Sequence, residues 1–92
     1  MFTWDPAKAA RNLAKHGVAF DRAWDFDWAT SVVIDRSRRS DGEQRQAAIG
    51  WLAERLHTVV FTDRPEGVRL ISFRRANRAE MRVYEAIASG KK

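Results

Sequence analysis

Length, composition and charge place this chain among small basic proteins with a single folded domain. Its 92 residues suit one domain spanning 1–92, and its 45% hydrophobic content, with four Trp, supplies an apolar core. Charged and apolar residues are interleaved along the chain, which argues against disorder. Lys and Arg outnumber Asp and Glu by 17 to 12, so the net charge is +5 and we expect a polyanionic or acidic partner.

The residue types that are missing exclude several classes of protein. There is no Cys, and two His, His16 and His57, are too few for a His-rich metal centre. No nucleotide-binding, zinc-protease or serine-hydrolase signature occurs, so we expect no metal and no cofactor. We see no signal peptide and no apolar run of the roughly 18 residues that a membrane span needs. We therefore expect a cytoplasmic protein that does not contact membranes.

The N-terminal part predicts a strand followed by two helices. Phe2 to Trp4 is typical of a short strand. The N-cap and first-turn pair Asp5-Pro6 begins a helix that runs to about His16, where Gly17 ends it. A second short helix is predicted from Asp21 to Phe26.

The middle of the chain predicts an antiparallel sheet. Hydrophobicity there follows the two-residue period of strands, and the short connections make successive strands antiparallel neighbours. In the strand Val68 to Arg74, we expect Leu70 to point to one face and Ile71 and Phe73 to the other, as in a strand covered on both sides. The four predicted strands are Ser31 to Arg36, Arg45 to Leu52, Leu56 to Thr62, and Val68 to Arg74.

The C-terminal part predicts one more helix. Asn77 as N-cap, with Glu80 three residues later, forms a capping-box pattern, and the helix runs to about Ser89. The predicted fold class is α+β. It has two N-terminal helices, a four-stranded antiparallel sheet with a short additional N-terminal strand, and a C-terminal helix.

Arginines at strand ends are candidates for binding an anion. Arg74 and Arg75 lie where a central strand meets a helix N-terminus, so they are placed to hold a phosphate. Alternatively, one of them pairs with Glu80 or Glu85 and the other is solvated. Arg45 begins a strand, and its side chain can share a face of the sheet with a residue on the neighbouring strand. Alternatively, it is a charge on an edge strand that prevents aggregation.

Two other side chains are candidates for chemistry or stacking. His16 is the best-placed acid or base by residue type, although Lys15 and His16 also complement the helix dipole as ordinary C-terminal cations. Tyr84 lies on the inward stripe of the last helix, where it packs in the core or stacks on a base. His57 alternates within a strand, and we interpret it as a surface or packing residue.

Several short sequence blocks extend over nearly the whole chain. They are F-x-W-D-P-x-K-x-x-x-N from Phe2 to Asn12, Lys15-His16-Gly17-Val18, Glu43-x-Arg45, Val60 to Arg64, Arg69 to Ala76, and then Glu80 and Tyr84. In their order and spacing these blocks resemble the BrnT family, the toxin half of bacterial type II toxin–antitoxin pairs.

The resemblance carries expectations about fold, activity and partners. It implies a RelE-like fold and a ribonuclease that inhibits translation and growth by acting on RNA, free or on the ribosome. It also implies a BrnA-like antitoxin that wraps the toxin and carries the DNA-binding domain, in an assembly with two copies of each protein. DNA would then be contacted only through the antitoxin.

Metal-free RNA cleavage uses the 2′-hydroxyl as nucleophile and needs a base, an acid and positive charge on the phosphate oxygens. Arginine stays protonated, so it suits the phosphate and not proton transfer. The expected phosphate clamps and RNA-binding residues are Arg74, Arg45, Arg75, Arg64 and Lys15. Proton transfer or base stacking is left to His16, Glu80 and Tyr84, with the acid–base pair unassigned.

Two interpretations without catalysis remain open at this point. One is a nucleic-acid or ribosome-binding module that uses the same Arg face. The other is an interaction module that holds its antitoxin as a co-repressor. Growth arrest by this chain alone, and RNA binding that survives loss of toxicity, distinguish an enzyme from both.

Overall fold

A computed structural model describes residues 1–36 and 44–90, and it has the α+β architecture that the sequence predicts. Asp41-Gly42, a dipeptide typical of hairpin turns, is expected to connect the first two of the four predicted strands, and it falls outside the described residues. None of the helices described is long and apolar enough to cross a membrane. The elements are β1 Phe2–Thr3, α1 Pro6–His16, a 3-10 helix Phe20–Trp24, β2 Val32–Asp35, β3 Gln46–Leu52, β4 Arg55–Arg64, β5 Gly67–Arg75 and α2 Arg78–Ala88.

The strands form one mixed sheet in the order β1-β5-β4-β3-β2. Strands β2 to β5 form the predicted antiparallel series, but the predicted sheet of four strands is wrong, because β1 joins it as a fifth. It pairs in parallel with β5, and Val68 N–H donates to the Met1 carbonyl at 2.9 Å. Gly67 permits this approach: a Cβ there would lie 2.4 Å from the Met1 carbonyl oxygen.

The second N-terminal helix, predicted from Asp21 to Phe26, does not match exactly, because this segment is a five-residue 3-10 helix, Phe20–Trp24. The hydrogen bonds just after this segment are not those of a continuing α-helix. The Ala23 carbonyl accepts from Trp28 Nε1 at 2.9 Å, and Asp27 N–H, the next α-helical donor to that carbonyl, instead donates to the Trp51 carbonyl at 2.9 Å. The end of this segment is therefore set by its hydrogen bonds to the Trp28 side chain and to the Trp51 carbonyl of β3.

The predicted orientation of the apolar side chains of β5 is wrong, because the strand contains a bulge. Phe61 lies opposite Leu70 and Val60 opposite Ser72, so Ile71 has no partner in the register. This extra residue puts Leu70 and Phe73 on the same face, where both are fully buried, although alternation predicts opposite faces.

The core fills the space between one face of the sheet and the N-terminal helices. Thr58 and Arg74 alternate with core residues, so they point to the opposite face, which α2 covers through Glu80. The sheet is therefore enclosed by α1 and the 3-10 helix on one side and by α2 on the other. The core cluster consists of Val18, Phe20, Ala23, Phe26, Ala48, Leu52, Val59, Phe61, Leu70 and Phe73.

The buried side chain of Asn12 joins α1 to β5. Its amide donates to the carbonyls of Phe73 at 2.7 Å and Val18 at 3.0 Å, and its Oδ1 accepts from Phe73 N–H at 3.1 Å. Strand β1 pairs only with Val68 and Arg69, so it does not reach Phe73. Asn12 thus satisfies backbone groups that would otherwise need a neighbouring strand.

We predict that Asn12→Ala lowers the free energy of unfolding by about 2–4 kcal/mol, because it leaves buried backbone groups of Phe73 and Val18 without these partners. Urea unfolding followed by circular dichroism measures the change. Leu13→Ala is the matched control: Leu13 is 50% exposed, and we expect it to cost less than about 1 kcal/mol. Equal losses in the two variants would contradict the role of Asn12.

Candidate active site

A cleft of about 430 Å³ opens at the end of the sheet where α1 ends, β4 begins and β5 ends. Its lining is strongly basic, with three Arg and two His against one Glu. The charged and imidazole side chains that line it are His16, Arg22, Glu54, Arg55, His57 and Arg75. Such a cleft suits a negatively charged ligand.

Three elements bring these side chains together. His16 ends α1 one turn beyond Asn12, and the helix stops there because Gly17 adopts a left-handed φ of 73°. His57 and Arg75 are opposite each other in the β4–β5 register, so their side chains share a face of the sheet. The cleft is therefore fixed by a helix end and by one cross-strand pair.

His57 is held in a defined orientation. It is 7% exposed, its ring packs edge-on against Phe73 at 5.9 Å, and its Nδ1 lies 3.0 Å from the Arg55 carbonyl oxygen. Burial lowers the pKa of His57, and the charges of Arg75, Arg22 and Arg55 lower it further, against the opposing effect of the bond to the Arg55 carbonyl. Its uncharged form is thus favoured.

His16 is partly exposed at the mouth of the cleft. Partial loss of solvent lowers its pKa, and repulsion from Lys15 and Arg74 lowers it further. Both imidazoles of the chain therefore lie in one basic cleft, and both have a reduced affinity for a proton in the absence of an anion.

Arg74 points away from the core face and forms an ion pair with Glu80. Two terminal guanidinium nitrogens donate to the two carboxylate oxygens at 2.8 Å each, and the side chains are 22% and 10% exposed. Thr58 Oγ1 and Asn77 N–H donate to the same carboxylate at 2.9 Å each, and the predicted capping box is present. Of the adjacent arginines, Arg74 is therefore paired and Arg75 is exposed in the cleft.

These hydrogen bonds determine the ionisation of Glu80. Burial alone raises the pKa of Glu80, but the bonds from Arg74, Asn77 and Thr58 outweigh it and lower the pKa to about 2. At neutral pH Glu80 is thus a fully paired carboxylate with no proton to donate.

A comparison with protein families gives a match over most of the chain. The model that matches is that of the ribonuclease toxin, BrnT, of type II toxin–antitoxin systems, and it covers residues 4–80. The chain belongs to the BrnT family. The resemblance drawn from the sequence blocks is confirmed, and with it a ribonuclease toxin that has an antitoxin partner. A comparison with curated proteins finds no match.

The structure of this BrnT-family chain separates several of the predicted site residues. Tyr84 lies on α2, where its hydroxyl accepts from Trp51 Nε1 at 3.1 Å. Arg45 precedes β3 and Arg64 ends β4, so both lie at the end of the sheet away from the cleft. Arg64 follows His57 by seven residues along β4, about 20 Å in an extended strand.

Lys15 faces a second groove, of about 320 Å³, beside the cleft. Lys8 and Arg11 line this groove with Lys15, and their spacing of three and four residues puts them on one face of α1. His16 lines both the groove and the cleft, so the two basic surfaces are continuous.

The sequence of this BrnT-family chain does not by itself indicate His57, Arg22 or Arg55 as site residues. One local feature could have indicated His57 as a site residue. It lies two residues after a tight turn, on the strand face that also carries the core residue Val59. Its neighbour across the sheet depends on the β4–β5 register, which the bulge shifts.

We predict that Glu80 makes the stability of the protein dependent on pH in acid. Its pKa is about 2 in the folded chain against an ordinary 4.5, so the stabilisation is complete above the ordinary value and is lost as pH falls toward 2. From about pH 5 to pH 2, the wild type should lose roughly 1–3 kcal/mol more than Glu80→Gln. Urea unfolding across this range measures it, with Glu85→Gln, at an exposed position of the same helix, as control. Parallel curves for wild type and Glu80→Gln would contradict the ion pair.

Proposed function

We propose that the chain is a metal-independent endoribonuclease toxin that cleaves RNA in the cleft between His16, His57 and Arg75. One observation carries the proposal: both imidazoles of the chain and an exposed arginine line the same basic cleft. Membership of a ribonuclease toxin family supplies the substrate class.

The chemistry that fits these groups is attack by the 2′-hydroxyl on the adjacent phosphate. The 2′-oxygen forms a bond to phosphorus, the bond from phosphorus to the 5′-oxygen breaks, and a cyclic phosphate and a 5′-hydroxyl result. Arg75, with Arg22 and Arg55 in the same cleft, supplies positive charge to the non-bridging oxygens. His16 takes part in proton transfer, since imidazole titrates nearest to neutral pH.

The other predicted residues receive supporting roles in this proposal. Arg74 and Glu80 hold the junction of β5 and α2 beside Arg75. Lys15 belongs to a track, with Lys8 and Arg11, that binds the RNA backbone next to the cleavage position. Arg45, Arg64 and Tyr84 lie outside the cleft, so we propose that they contact RNA, or the ribosome that carries it, away from the scissile bond.

The cellular role that we propose follows the family. The toxin acts in the cytoplasm, where RNA cleavage inhibits translation and growth. A BrnA-like antitoxin neutralises it in an assembly of two toxins with two antitoxins, and DNA is contacted only through the antitoxin. The net charge of +5 favours an acidic surface on that partner.

We predict that Arg75→Ala relieves both growth arrest and RNA decay when the chain is expressed without antitoxin. Loss of one donor to the developing charge should slow cleavage by about 100-fold or more. Arg78→Ala is the matched control, because Arg78 is exposed on α2 outside the cleft. Growth curves and total RNA on a gel, with protein levels checked, give the result.

Two outcomes would contradict the proposal. If the wild type arrests growth while RNA stays intact, the chain is a non-catalytic binding module. If Arg75→Ala is as toxic as the wild type, the cleft is not the site. Arg74→Ala is unsuitable for this test, because it leaves the buried Glu80 carboxylate without its cation and so perturbs folding.

A further inference from the structure

We propose that the two histidines divide the proton transfers: His57 Nε2 accepts the proton of the 2′-hydroxyl, and His16 donates a proton to the leaving 5′-oxygen. This inference rests on the proposed ribonuclease function and assigns the acid and the base within the same cleft.

The contacts of His57 fix which of its nitrogens is available. His57 Nδ1 lies 3.0 Å from the Arg55 carbonyl oxygen. Because a carbonyl oxygen only accepts hydrogen bonds, Nδ1 is the nitrogen that carries the proton. In the uncharged ring, Nε2 is then the nitrogen with a free lone pair. Packing against Phe73 restrains the ring, so a base of one tautomer is oriented before RNA arrives.

The charges around His57 favour the form that a base requires. Arg75 on β5, Arg22 on the 3-10 helix and Arg55 on β4 repel a second proton, and Glu54 is the carboxylate that also lines the cleft. Burial and these charges together lower the pKa of His57 and so favour the uncharged imidazole. Arginine itself cannot take the proton, so His57 is left as the acceptor on the sheet side of the cleft.

His16 is better suited to be the acid. It is more exposed than His57 and ends α1, where helix carbonyl groups favour a cationic ring. Lys15 and Arg74 oppose its protonation in the free protein, but a phosphodiester held by Arg75 brings a negative charge that compensates for them. Binding of RNA therefore favours a protonated His16 next to the leaving group.

The step balances without a further reactant. The 2′-hydroxyl gives its proton to His57 as the bond from the 2′-oxygen to phosphorus forms. The bond from phosphorus to the 5′-oxygen breaks with its electron pair, and that oxygen takes a proton from His16. The two histidines end in exchanged protonation states, and solvent restores them.

A substrate with sulfur in place of the bridging 5′-oxygen separates the two roles. A thiolate leaves without an acid, because its conjugate acid is far stronger than an alcohol. With the oxygen substrate, we expect His16→Ala and His57→Gln each to slow cleavage by about 100-fold or more. With the sulfur substrate, the defect of His16→Ala should largely disappear, whereas that of His57→Gln should persist.

The outcomes distinguish this inference from the function on which it rests. If purified wild type cleaves neither short RNA, and RNA also stays intact in cells that express it, the proposed ribonuclease function fails. If the wild type cleaves both but the His57 variant matches it, or if sulfur rescues His57→Gln and not His16→Ala, only the division of roles fails.

A measurement on the unaltered protein avoids reliance on a buried substitution. The chain has two His, so carbon and nitrogen shifts of the imidazoles are readily assigned by comparison with His16→Ala. We expect His57 to show the tautomer protonated on Nδ1 at neutral pH. The opposite tautomer would overturn the assignment of Nε2 as the base, whatever the variants show.

Discussion

The hydrogen bonds between Asn12 and the backbone of Phe73 are the constraint on which the rest of the structure depends. They replace a missing strand neighbour, and they fix the last turn of α1 against the end of β5. His16 lies one turn beyond Asn12, and Arg75 lies two residues beyond Phe73. The bond that completes the sheet edge therefore also brings a candidate acid next to a candidate phosphate clamp.

Because side chains alternate between the two faces along β5, the neighbouring residues Arg74 and Arg75 have different surroundings. Arg74 faces α2. The Glu80 carboxylate in the first turn of that helix accepts hydrogen bonds from Arg74, Thr58 and the Asn77 N–H. Arg75 faces the cleft on the other side of the sheet and stays exposed. A partly buried ion pair on one face of the sheet thus holds the end of β5. From that strand end, the exposed Arg75 on the other face can reach RNA.

Local signals predicted most of the fold, and long-range pairing decided the rest. The caps at Asp5-Pro6 and at Asn77 with Glu80 predicted both α-helices, and alternation predicted four antiparallel strands. The parallel pairing of β1 and the bulge at Ile71 depend on contacts distant in sequence, so no local pattern reveals them. Residue type and position were enough to predict His16 and Arg75 as site residues. His57 could not be predicted in this way, because its place in the site depends on its pairing with Arg75 across the sheet.

The most direct test of the cleft as the RNA site is a nuclear magnetic resonance titration with a short oligonucleotide that lacks the attacking 2′-hydroxyl. Such a ligand binds without being cleaved, so the resonances report where the phosphates lie. We predict that the largest shifts occur at His16, His57 and Arg75, with smaller shifts along Lys8 and Lys15. Shifts confined to the far end of the sheet, around Arg64, would contradict the site and leave the chain a ribonuclease toxin with its chemistry elsewhere.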